Sequence, residues 1–181
     1  GDSSIAFDGT GDYLSLADST DWDFASAGDY TVEGWFYTTV AAGSHHQKIF
    51  AQGVDADNSW NFYLNGQNIG LYFIYSASAF SCMSTSTPIT NDTWHHVAAV
   101  KDGDDYEIFV DGASVATVNS SNTGTLAAEL RIGNDINNQY VTGYMDEIRI
   151  SDSARYTGSF TPSTTEFTPD SDTLLLIHSN W

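Results

Sequence analysis

The stretch Trp94-His-His-Val-Ala-Ala-Val100, Lys101-Asp-Gly-Asp-Asp105, Tyr106-Glu-Ile-Phe-Val110, Asp111-Gly112, Ala113-Ser-Val-Ala-Thr-Val118 decides the fold class. Short runs rich in β-branched and aromatic residues alternate with clusters of Asp and Gly. The Asp/Gly clusters supply turn chemistry. Residues 94–118 therefore read as a three-strand antiparallel meander.

The same grammar extends in both directions. Ser4-Ile-Ala-Phe7 and Tyr13-Leu-Ser-Leu16 flank Asp8-Gly-Thr-Gly11 and read as a hairpin with a glycine-rich turn. Residues 29–38, DYTVEGWFYT, alternate Tyr30, Val32, Gly34 and Phe36 against Thr31, Glu33, Trp35 and Tyr37, as in a strand covered on both faces. Residues 48–52 form another strand. Residues 60–64 meet 69–75 across Asn65-Gly66, a strong hairpin signal. Residues 79–86, 130–132, 144–150 and 174–178 add further strands, about 13 in all. At most one helical turn is expected, near 153–156. No repeat and no dividing linker is visible, so 1–181 reads as a single domain. So many antiparallel strands pack as two sheets, an all-β jelly-roll sandwich. The last strand follows a crossover and is expected beside the first.

Composition agrees and sets limits. Ser and Thr number 40 and aromatics 25, against only five Glu. That is the usage of a turn-rich β protein. The 181 residues would bury roughly 70% of the unfolded surface, so no staples are needed. Five Lys and Arg face 24 Asp and Glu, a net charge of −19. Nucleic acid is excluded as a partner, because phosphate contacts need clustered cations. No run reaches the roughly 20 apolar residues of a membrane helix, so no membrane insertion is expected. Gly1 with no Met reads as a mature product or an excised module, which leaves secretion open. Cys82, the only cysteine, is expected as an inert packed thiol.

The block 94–103 with Ile108-Phe-Val-Asp-Gly112 resembles the laminin-G-like, concanavalin A-like lectin/glucanase superfamily. So do Ser4-Ile-Ala-Phe-Asp-Gly9 with Asp12-Tyr13, Thr31-Val-Glu-Gly-Trp-Phe36 and Gly143-Tyr-Met-Asp-Glu-Ile-Arg-Ile150. The ending, Ala154-Arg-Tyr-Thr157 through Thr173-Leu-Leu-Leu-Ile-His178, looks like modules of phage tail or other virion proteins and of bacterial surface proteins. The resemblance implies a concanavalin A-like sandwich with recognition at rim loops or on one sheet. It also implies an extracellular, cell-surface or virion-surface setting. Partners would be a cell-surface glycan or glycoprotein, or other subunits of a fibre or virion.

Calcium is the cofactor this implies. It takes six to eight oxygens from carboxylates, Asn side chains and carbonyls. The family's rim site falls here on Asp55, Asp57 and Asn58 and on Asn134, Asp135 and Asn137. A second, structural site would join Asp146 to Asp8 or Asp12. Asp146 shares strand parity with Tyr144, Ile148 and Ile150, so it is expected to point inward and to need a partner. Sugars stack on exposed aromatic rings, and Trp60, Tyr63, Tyr72, Tyr75 and Tyr140, with Asn138, are candidates. His45 and His46 lie in a Gly/Ser loop. His95 and His96, adjacent in a strand, point to opposite faces and suit no zinc site. The Glu-x-Asp-x-x-Glu strand of the family's glucanases is missing; Glu107-Ile-Phe-Val-Asp111 has the wrong spacing. The sequence thus points to a non-enzymatic, calcium-assisted carbohydrate-binding module. The runner-up is a structural decoration of a phage tail, capsid or filament.

Overall fold

The computed structural model describes residues 3–24, 26, 28–39, 46–86 and 88–179. The meander forms as read. Strands β8 (Trp94–Asp102), β9 (Asp105–Val110) and β10 (Ala113–Asn119) pair antiparallel in succession. At the β9–β10 turn, Asp111 and Gly112 have φ of 51° and 78°. Left-handed backbone at both positions matches the twist of the flanking strands. Gly112 is constrained twice. A Cβ there would collide with the carbonyl of Phe160, whose N–H donates to Gly112 O at 2.9 Å.

Strand β3 (Tyr30–Thr38) lies between β8 and β12 (Thr142–Ser151). With β1 (Ile5–Asp8) and β13 (Thr173–Ile177) these complete a seven-stranded sheet. The second sheet has six strands. In spatial order they are β2 (Leu14–Leu16), β11 (Leu130–Ile132), β4 (His46–Asp55), β5 (Asn58–Asn65), β6 (Asn68–Tyr75) and β7 (Ser78–Met83). The inner faces share one core, which includes Phe36, Phe50, Trp60, Phe62, Val97, Ile108 and Ile148. Each such side chain contributes about 1.5–3 kcal/mol relative to exposure. The all-β sandwich is therefore the fold, with 13 strands among the described residues.

Four details differ from the sequence reading. Strands β1 and β2 are not a hairpin; they belong to different sheets, and the glycine-rich turn carries the chain across the rim. Asp8 Oδ1 accepts from Thr10 N at 2.7 Å, which satisfies the turn whether or not its flanks pair. The helical turn is a 3₁₀ turn at Thr20–Trp22, capped by Ser19, whose Oγ accepts from Asp21 N at 3.2 Å. Residues 153–156 are instead held on Thr31, whose Oγ1 donates to Ser153 O and accepts from Arg155 N. His46 opens β4 rather than lying in a loop; His45 lies outside the described residues.

The fourth difference concerns β12. β1 and β13 occupy the same edge of it, one after the other: β1 along 142–145 and β13 along 148–151. Between them β12 bulges, with Glu147 at φ 51°. The extra residue reverses the strand's parity. Tyr144 is 41% exposed, whereas Ile148 and Ile150 are fully buried. Asp146 sides with Tyr144, so it faces the outer surface and not the core.

Beyond β12, the chain crosses the outer face of the seven-stranded sheet. Ala154, Tyr156 and Phe160 pack there on Ala98, Val100 and Phe109. Beneath this crossover sits a buried polar cluster. Glu33 Oε1 takes Arg149 at 2.7 Å, and Oε2 takes His96 Nε2 at 3.0 Å and the Tyr156 hydroxyl at 2.7 Å. Burial pushes the Glu33 carboxyl up, but the His96 hydrogen bond, the Arg149 guanidinium and the Tyr156 hydroxyl outweigh it. The group lies below its ordinary value of 4.5.

Candidate functional site

Asp55 ends β4, and Asp57 and Asp135 lie in the turns that follow β4 and β11, but the oxygens of Asp55 and Asp135 are engaged locally. Asp55 Oδ1 accepts from Asp57 N and Asn58 Nδ2, both at 2.9 Å. Asp135 Oδ1 accepts from Asn137 N at 2.8 Å and Gln139 N at 3.1 Å. Asp12 Oδ2 accepts from Asp8 N at 3.1 Å. Loop 134–138 folds over a recess lined by Gly53, Ser59, Asn61 and Asp135, not by Asp55 or Asp57. Asn134 Oδ1 is buried with no hydrogen-bond partner. Among the described residues, no three His, Cys, Asp or Glu side chains converge on a metal position.

Asp146 does not meet Asp8 or Asp12. Asp8 pairs with Thr142, four residues along β12 from Asp146, or roughly 13 Å away. The needed partners are supplied otherwise. Asp146 Oδ1 accepts from Glu147 N at 2.8 Å and from Ser179 Oγ at 2.6 Å.

The aromatic candidates fare unevenly. Trp60 is fully buried, stacks on Phe24 at 4.9 Å and donates Nε1–H to Gln52 Oε1 at 3.1 Å. It cannot meet a sugar, and that expectation is corrected. Tyr75 packs against the core, with Gly124 flat on its ring. Tyr63 carries Lys48 Nζ 4.2 Å from its ring centroid and His46 stacked at 5.6 Å. Tyr72 is half-buried on the outer face of the six-stranded sheet. Tyr140 is half-buried and donates its hydroxyl to Asn138 Oδ1 at 3.0 Å. Tyr140 and Asn138 line a cavity of about 220 Å³ with His46 and Gln47. His95 and His96 do point apart, to Asp111 at 2.7 Å and Glu33 at 3.0 Å. Cys82 is buried, and burial pushes its thiol up to about 11.

A larger cleft, about 390 Å³, opens on the outer face of the seven-stranded sheet. Cross-strand pairing builds the aromatic row that runs into it at Trp94. Tyr37 lies opposite both Trp94 and Tyr144, and Trp35 opposite Asp146. Tyr37 stands 5.6 Å from Trp94 and 5.7 Å from Tyr144, centroid to centroid. Trp94 is 38% exposed. Trp35 and Trp94 line the cleft with the carboxyl groups of Asp146, Glu147 and Glu166. Ser3, Ser4, Thr164 and Thr165 add hydroxyls. Glu147 is set by its partners: Oε2 accepts from Phe167 N at 2.6 Å and Oε1 meets His178 Nδ1 at 2.8 Å. The cleft thus joins aromatic faces, acceptors and hydroxyls at one opening.

Residues 8–157 match the family model described as the concanavalin A-like lectin/glucanases superfamily. The chain belongs to that superfamily. No curated protein matches its sequence significantly. Solved structures match its fold. A candidate carbohydrate binding protein from Bacteroides ovatus superposes with a TM-score of 0.74 at 15% identity, over 97% of this chain and 50% of that one. Domains LG4-5 of the mouse laminin α1 chain give 0.65 at 14% identity, over 90% and 47%. The sialidase CBM40 of Ruminococcus gnavus, bound to α2,3 sialyllactose, gives 0.60 at 12% identity, over 81% and 92%. The chain spans about half the length of the first two.

Within this superfamily member, sequence reasoning missed Trp35, Tyr37, Trp94 and Tyr144. One signal could have found them. Trp35 and Tyr37 share strand parity with Thr31 and Glu33, the polar face of 29–38. Trp94 and Tyr144 follow once β8 and β12 are paired to β3.

Proposed function

We propose that residues 1–181 act as a single non-catalytic carbohydrate-binding module at an extracellular, cell or virion surface. The observation that carries this reading is the aromatic wall of Trp94, Tyr37 and Tyr144 beside the 390 Å³ cleft. Sugar rings present C–H faces to such rings, and carboxylates accept from their hydroxyls. Membership of a lectin/glucanase superfamily and the two carbohydrate-binding neighbours support it. The missing glucanase strand motif supports a non-catalytic role.

Calcium assistance belongs to the same proposal. Asn134 Oδ1, buried without a partner, is a hard oxygen ligand, and the adjacent Asp135 would join it by exchanging the N–H groups of Asn137 and Gln139 for the ion. Carbonyl oxygens and water would fill the remaining positions.

A glycan array followed by calorimetry tests the main reading. The folded protein should bind at least one saccharide. Trp94→Ala and Tyr144→Ala should each weaken that binding by about tenfold or more, as for a central aromatic anchor. No hit from a folded sample would sink the reading. Full affinity in both variants would move the site elsewhere.

A further inference from the structure

We infer that the cleft selects uncharged saccharides and rejects those bearing carboxylate, sulfate or phosphate groups. This rests on the carbohydrate reading above. Its polar wall presents carboxylates: Asp146, Glu147 and Glu166, with Asp92 3.5 Å from the Tyr37 hydroxyl. Ionised carboxylates only accept hydrogen bonds. Asp146 and Glu147 already accept from within the protein, so a ligand reaching the acceptor sites that remain must donate, which a sugar hydroxyl does and an acidic substituent cannot.

No Lys or Arg lines the cleft to reverse this sign. The five cations of the sequence are placed elsewhere. Lys48 lies over the Tyr63 ring and Arg131 pairs with Glu129, both on the six-stranded sheet. Arg155 is held by Asp170 and Arg149 by Glu33, the latter with its guanidinium 4.1 Å from the centre of the Phe167 ring. Lys101 donates to Gly28 O, seven residues along β8 from Trp94. The basic side chains bonded to the cleft wall or just behind it are His178, bonded to Glu147, and His96 and Arg149, both bonded to Glu33. A net charge of −19 adds a long-range field of the same sign.

The consequence differs from the Ruminococcus gnavus module, which shares the fold and is described with a sialylated ligand. The experiment is an array of matched pairs, each neutral oligosaccharide beside its sialylated, sulfated or uronate-bearing counterpart, followed by titration at two salt concentrations. Neutral members should bind, and their acidic counterparts should bind about tenfold more weakly or worse, because like charges oppose contact. Added salt should narrow that gap by screening. Glu166→Gln, an exposed position, should narrow it too. An acidic member that binds as well as its neutral partner overturns this inference and leaves the carbohydrate reading standing. Binding to neither member of any pair overturns both.

Discussion

At the scale of single residues, Glu33 fixes the outer face. It is fully buried and bonded to Arg149 and His96 under the crossover. Glu33→Ala would leave both partners buried and unpaired. Unfolding in urea should show a loss of about 3–5 kcal/mol; a change below about 1 kcal/mol would show the cluster to be dispensable. The same group predicts a pH dependence. Its folded pKa lies below the ordinary 4.5, so its contribution is complete above that value and declines as pH falls through the folded one. Glu33→Gln should flatten the acid limb of the stability profile. Residues also show what the sequence could not say. Trp60 follows a rim loop and looks like a sugar platform, yet strand parity turns it inward. Local spacing gives parity but not which face is inside when both faces are rich in aromatics.

At the scale of elements, strands and turns were legible because each is decided within about ten residues by period-two alternation and turn chemistry. Pairing partners were less so. The Asp8–Asp12 turn has the same residues whether its flanks pair or part company, so the jump of β2 to the other sheet left no local mark. The bulge in β12 was equally silent, because one inserted residue alters parity without altering composition. Gly112 shows an element-level constraint that spans distance. It closes the β9–β10 turn and also seats the crossover at Phe160. Gly112→Ala should therefore cost more than the about 1–2 kcal/mol of a left-handed alanine. Chemical denaturation would measure it. A loss within that range would mean the Phe160 contact adjusts freely.

At the scale of the whole molecule, charge dominates the response to ions. With a net charge of −19, any cation stabilises the fold by screening self-repulsion. Specific calcium binding must exceed that. Millimolar calcium should raise the melting midpoint above both a chelated sample and one with magnesium at equal ionic strength, since ligand bound to the native state adds stability. Equal midpoints in calcium and magnesium would remove calcium from the proposal. Geometry has a separate whole-molecule consequence. Ser179 Oγ donates to Ser3 O at 2.8 Å, and Ser3 also lines the cleft. Anything tethered near residue 3 or residue 179 therefore emerges at the cleft mouth. A sensor chip coupled through a tag at either position would press the opening against its matrix and under-report affinity. The β8–β9 turn, roughly 25 Å from Trp94 along β8, is the better anchoring point, leaving the cleft turned toward solution.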